Sequence, residues 1–306
     1  MLKMQITNDI ALPHAYRVFG GGSIDLVIEA GLGATVGEWW HIAERLSERY
    51  CVLLYGRQRK TVNPRTPENI AHELHALLQK LGHSEKIVIL AHSQGGLYAQ
   101  QFTRLYPDMV KGLILLDPLS ANDNAYKTFF APEEQKKSGF NKTENLVIME
   151  KLAKLHLGFI IKLIMKKAPP FYYYNFSKDA ADYILSSITE PELYTSALEE
   201  YKLAHDEGVI APLKEKSGFP DIPIALITHT SAFSVKEIME FGQTDIQFAQ
   251  KVEDFWQSLM KEYLSFSSKT KYIQAKNSGH FIHLSEPDLI DVALDWIKEN
   301  ENIVTD

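Results

Sequence analysis

Short apolar runs alternate with stretches of helical spacing through the first third of the chain. "IDLVIEAG" (24–31) reads as a strand ending in a glycine turn, "GEWWHIAERLSER" as a helix and "YCVLLYG" as a second strand. In "TPENIAHELHALLQKLG" Thr66 suits an N-cap, Pro67 the first helical position and Gly82 the stop. "EKIVILAH", "QGGLYAQQFTRLYP" and "VKGLILLDP" continue the order strand, helix, strand. Continuous apolar strands must be covered on both faces, so this order predicts a mostly parallel central sheet flanked by helices, an α/β architecture.

The alternation stops near Leu119, and no convincing core strand follows until about Phe219. It resumes with "DIPIALITH" as a strand, "IQFAQKVEDFWQSLMKEYL" as a helix, "KTKYIQAKNSGH" as a strand and loop, and "DLIDVALDWIKEN" as the last helix. The predicted organisation is a core of residues 1–118 and 221–306 interrupted by a helical insertion, 119–220. Inside the insertion, Lys151, Lys154, Lys162 and Lys166 form one stripe of an amphipathic helix with Leu, Ile, Phe and Met opposite. The expectation is a cap helix packing its apolar side inward. A helix lying on an anionic membrane surface is the other reading.

One strand-to-helix junction carries candidate chemistry. In "ILAHSQGGLYA" (89–99) a buried strand ends at a serine with glycines close behind. Ligands of open parallel sheets bind beyond the carboxyl ends of the strands. A sharp turn there lifts Ser93 out of the sheet and needs small neighbours, here Ala91 and Gly95. The following helix N-terminus favours a developing negative charge.

"AHSQGG" in this setting resembles the nucleophile elbow of the α/β-hydrolase superfamily, with Ala91 in place of the first glycine of G-x-S-x-G. The likeness extends over nearly the whole chain. It implies the α/β-hydrolase fold with an inserted helical cap, a serine nucleophile at Ser93 and a base in the loop before the last helix. That loop reads "NSGHFIHLSEPDLI" and places the base at His280, with Gly279 giving the loop freedom to turn the imidazole. His283 is the near competitor, expected instead to make a structural hydrogen bond. His92 should point away from the serine, and His229, ending a strand, is a candidate to line the site.

Many relatives carry the triad acid after the strand that follows the insertion. Here "IALITHTSAFSVKE" offers no carboxylate in the immediate turn. The other placement, found among haloalkane dehalogenases, is after the preceding strand, where "LILLDPLSAND" supplies Asp117. Glu237 and Asp245 are the alternatives, and an Asp-Pro pair also serves to cap turns. The resemblance assigns the oxyanion hole to the backbone N–H groups of Leu32 and Gln94. After "VLLYG", where relatives often have an aspartate, the chain reads "RQRKTVNPRTPENI". Arg57, Arg59 and Lys60 are expected to form a solvated loop, or else a site for an anionic group.

Composition narrows this picture without redirecting it. The 306 residues are 45% hydrophobic and 23% charged, with net charge −7, which gives no basic face for nucleic acid. A single cysteine, Cys51, cannot form an internal disulfide, and the N-terminus shows no secretory pattern. The expectation is a cytoplasmic protein without membrane contact, metal or organic cofactor, its oligomeric state open. The resemblance implies a serine hydrolase cleaving a small or medium apolar carboxylic ester. A lactonase, amidase, C–C hydrolase or acyltransferase could use the same triad, and a ligand receptor could keep the fold with little turnover.

Overall fold

The computed structural model describes residues 3–6, 15–138 and 143–301. Most of the N-terminal stretch read as lacking a secretory pattern lies outside the described residues. Eight strands form one sheet: β1 (Gln5–Ile6), β2 (Ala15–Phe19), β3 (Leu26–Glu29), β4 (Val52–Gly56), β5 (Ile87–His92), β6 (Val110–Leu116), β7 (Ile224–Thr228) and β8 (Thr270–Gln274). Their order is β1-β2-β4-β3-β5-β6-β7-β8. β1 and β2 pair antiparallel, as do β2 and β4, and every other pairing is parallel.

Alternate residues of each parallel strand serve opposite layers, as a period of two requires. Val27, Leu53, Ile89, Leu115 and Leu226 face one buried cluster with the helices α2 (Pro67–Lys80) and α3 (Gly95–Leu105). Ile28, Leu54, Leu90, Ile114 and Ile227 face the other, against α1 (Val36–Leu46). Thr66 caps α2 as expected, its hydroxyl accepting from Asn69 N at 3.2 Å. Gly82 has φ +68°, the left-handed value that glycine suits.

Between β6 and β7 the described residues build only helices: α4 (Tyr126–Phe129), α5 (Pro132–Ser138), α6 (Glu144–Lys154), α7 (Gly158–Met165), α8 (Lys178–Ser187), α9 (Pro191–Ala204) and α10 (Glu207–Lys214), with short 3₁₀ turns. The single amphipathic helix read across Lys151–Lys167 is in fact two, α6 and α7. The break falls at His156, whose φ of +57° no α-helix accommodates. Nor does its apolar side all pack inward, since Leu155, Phe159 and Leu163 are exposed. After β7 come α11 (Ser231–Gly242), α12 (Ile246–Lys261), α13 (Ile282–Ser285) and α14 (Asp288–Asn300), which joins α1 over the second cluster.

Candidate active site

Ser93 follows β5 directly and has φ +53°. A non-glycine residue in the left-handed region marks local strain, held here by the surrounding backbone. Ser93 N donates to Leu116 O at 3.1 Å, and Ser93 O accepts from Gly96 N at 2.9 Å and Leu119 N at 2.8 Å. The turn can be this tight because residue 95 is glycine. A Cβ there would lie 2.4 Å from Glu29 O and 2.8 Å from Ala30 O.

A cavity of about 520 Å³ opens over this turn. Core loops supply Gly31, Leu32, His92, Ser93, His280 and Phe281, and the insertion supplies a mainly apolar wall. Ser93 and His280 therefore face the same space, although no hydrogen bond joins them among the described residues. Leu32 lines the cavity beside them. Gln94 is buried, and its amide Nε2 donates to Tyr98 Oη at 2.6 Å.

His280 Nδ1 donates to Asp117 Oδ2 at 2.6 Å, which leaves Nε2 as its free nitrogen. Asp117 follows β6 directly, has φ +45° and is fully buried. It does not cap the turn into the insertion; its carboxylate serves imidazoles. Of the alternatives, Asp245 is the N-cap of α12, accepting from Phe248 N at 2.8 Å, and Glu237 accepts the Tyr173 hydroxyl. Neither hydrogen-bonds His280. The loop before His280 is fixed by Glu286, whose carboxylate accepts from Lys276 N, Asn277 N and Ser278 Oγ. Gly279 has no left-handed φ, and a Cβ there would meet only the side chains of Glu237 and Phe233.

His229 is placed differently from the expectation. It lies beneath the site rather than on the cavity wall. Its Nδ1 donates to Asp117 Oδ2 at 2.9 Å and its Nε2 to Glu253 Oε2 at 2.8 Å. Both nitrogens meet carboxylates, so both carry protons and the ring is an imidazolium. Burial works against this cation, but the Asp117 charge and the hydrogen bonds to Asp117 and Glu253 push its pKa up to about 10. Burial also opposes charge on Asp117, yet His229 and then His280 hold its carboxyl well below the usual range. No local pattern marks the buried Glu253, which lies a turn and a helix away from His229.

His92 and His283 are buried and neutral. Burial, then His280, pushes His92 down to about 3, and its Nε2 donates to the His280 carbonyl at 2.9 Å. The His283 ring makes no hydrogen bond among the described residues, contrary to expectation. It stacks on Trp39 with centroids 3.9 Å apart, and burial lowers its pKa strongly. Glu38, on the cavity wall, accepts from Thr35 N at 2.8 Å, and burial raises it to about 7.

In the basic cluster after β4, Lys60 stays in a solvated loop as expected, but Arg57 and Arg59 are largely buried and paired with carboxylates. Arg57 is buried and bonds Glu29 at 2.8 Å and Glu200 of α9 at 2.9 Å. Arg59 pairs with Glu190 and Lys60 with Glu192. Arg57 also donates to Ala30 O at 2.6 Å and Gly31 O at 2.8 Å, so it fixes the loop that carries Leu32.

The family model for the α/β hydrolase fold matches residues 26–147. Over those residues the chain resembles the α/β-hydrolase family, and as a whole it has the α/β-hydrolase fold. An "AB hydrolase superfamily protein" of Gibberella zeae is 23% identical over 283 residues, covering 86% of this chain and 83% of that one. An epoxide hydrolase, CorEH, superposes with a TM-score of 0.64 at 18% identity, over 93% of this chain and 94% of its own. A thermophilic esterase from Thermogutta terrifontis does so with a TM-score of 0.60 at 19% identity, over 93% of each chain. These two proteins are named for different reactions, so what this chain shares with both is the fold. No helix among the described residues is long and apolar enough to cross a membrane.

Proposed function

We propose that the chain is a serine hydrolase that cleaves a carboxylic ester with an apolar acyl or alcohol part, with residues 119–220 as the cap over its site. The observation that carries this reading is the strained Ser93 facing the same cavity as His280, whose Nδ1 is held by the buried Asp117. Ser93 Oγ attacks the ester carbonyl while His280 Nε2 takes its proton. Asp117 fixes the tautomer and stabilises the imidazolium that forms. The N–H groups of Leu32 and Gln94 receive the oxyanion, and loss of one such donor typically costs about 10²–10³ in rate. His280 then protonates the leaving alcohol and activates the water that releases the acid.

A serine at the elbow disfavours epoxide or haloalkane chemistry, which uses a carboxylate nucleophile there. Leu146, Met149, Met165, Ile184 and Leu193 on the cavity wall favour an apolar substrate.

A fluorophosphonate probe followed by peptide mass spectrometry tests the reading. Labelling at Ser93, lost in Ser93→Ala, is expected. An unlabelled Ser93 in folded protein would point instead to a ligand receptor on this fold. Asp117→Asn should lower kcat by roughly 10³–10⁴, whereas Glu237→Gln and Asp245→Asn should stay close to the parent.

A further inference from the structure

Residues 151–167 hold five lysines and no carboxylate, within a chain of net charge −7. The same stretch exposes large apolar side chains. Leu155 and Leu163 are each 67% exposed and Phe159 is 70% exposed. On α7, Phe159, Leu163 and Lys166 recur at helical spacing on one face, while Ile161 on the opposite face is fully buried in the cap. Lys154 pairs with Glu150, but Lys151, Lys162, Lys166 and Lys167 make no salt bridge among the described residues. Asp182, the carboxylate that feels Lys162 and Lys166, is hydrogen-bonded to Lys178 at 2.6 Å. This patch adjoins the cavity, since Ile164 and Met165 of α7 line the wall over Ser93 and His280.

We infer that the turn joining α6 and α7 docks on a lipid bilayer bearing anionic headgroups. Leu155, Phe159 and Leu163 enter the interface, and the surrounding lysines meet the headgroup charge. Apolar residues alone would suit several partners. Four lysines without a salt bridge beside them match a negatively charged surface, and the long lysine stems let the charges lie at headgroup level while the apolar tips go deeper. The sequence reading expected no membrane contact because it packed this apolar side inward. The exposed side chains remove that reason. Docking here would set the cavity wall formed by Ile164 and Met165 against the bilayer, a short path for an apolar substrate leaving it.

The test is co-sedimentation of the full chain with phosphatidylcholine vesicles, with and without phosphatidylglycerol. Binding does not depend on turnover at Ser93, so it is read separately from the hydrolase assignment. The expected result is binding that requires phosphatidylglycerol and weakens with added salt. Phe159→Asp with Leu163→Asp should lower partitioning at least about tenfold. Lys151→Glu with Lys166→Glu and Lys167→Glu should do so through charge. Both variants should keep the parent circular dichroism, melting temperature and rate on a water-soluble short-chain ester. No binding to phosphatidylglycerol vesicles, or equal binding by folded Phe159→Asp/Leu163→Asp, would overturn the inference. So would a concentration-dependent dimer abolished by the same pair, which would mean that a second copy covers the patch.

Discussion

Asp117 Oδ2 accepts two imidazole N–H groups, and the two rings are not equivalent. His280 reaches the cavity, whereas His229 is enclosed between Asp117 and Glu253. A cation below the carboxylate keeps it ionised and aims its remaining capacity at His280. His229→Gln should therefore lower kcat on the order of tenfold to a hundredfold with little change in KM, the scale of one or two lost hydrogen bonds. Stopped-flow or steady-state kinetics on a soluble ester would measure it, and an unchanged kcat would leave His229 a purely structural role. The same ion triad gives stability a pH dependence. The His229 pKa is raised from 6.5 to about 10 by folding. Its contribution is thus complete below the unfolded value and is lost as pH rises through the folded one. Urea unfolding free energies should fall between pH 6.5 and 10, and Glu253→Gln should flatten that slope by removing one of the two carboxylates that hold the proton. An identical slope in Glu253→Gln would mean that the imidazolium contributes nothing.

Arg57 joins three elements that are far apart in sequence: Glu29 at the end of β3, the Ala30–Gly31 loop and Glu200 in α9. Arg65 adds a second cation on Glu200 at 3.0 Å and bonds Glu73 of α2 at 2.6 Å. Burial opposes the charge of Glu200, but these two guanidinium groups hold its carboxyl below the ordinary range. The cap is in this way pinned to the loop beside Ser93. Removing one member of a buried ion network strands the others, at a cost of about 3–5 kcal/mol. Glu200→Gln should lose that much in chemical denaturation and should also lower kcat, because the loop carrying Leu32 loosens. A variant with the parent midpoint would show that Arg57 re-pairs with Glu29 alone. None of this was legible from the sequence, because a pairing of residues 57 and 200 leaves no local pattern. The strands were legible for the opposite reason. β3 to β7 are buried on both faces, so each is a continuous apolar run. β1 and β2 escaped notice because β1 is only two residues long and "AYRVF" is interrupted by Arg17 and fully buried only at Ala15 and Phe19. α11 escaped because "SAFSVKEIMEFG" mixes polar and apolar residues without a clear stripe. Ser93, Asp117 and His280 stood out because each sits just past the end of a readable strand, and the structure brings all three to one end of the sheet. Their partners His229 and Glu253 required coordinates.

The whole molecule sets a central sheet against inserted helices that line the cavity. The sheet, closed by two apolar layers, fixes the turns that carry Ser93 and Asp117. The insertion contributes the apolar wall and, with Ile161 and Ile184, a small core of its own. Substrate size should then be set by the insertion and reaction chemistry by the sheet. A volume of about 520 Å³ falls within the range of roughly 300–1,000 Å³ typical of small-molecule sites. An acyl chain lengthened by one methylene against the wall gains about 0.8 kcal/mol, close to a fourfold rise in kcat/KM per carbon if the gain persists in the transition state. A series of p-nitrophenyl esters should show that rise from acetate onward, ending where the cavity is filled. Met149→Trp, which narrows the wall without touching Ser93, should move the end-point to a shorter chain while leaving the acetate rate near that of the parent. A series flat in chain length would mean that the acyl group does not lie against Leu146, Met149 and Leu193. A shift in the acetate rate as large as the shift for longer esters would mean that the lid also governs the chemistry at the sheet.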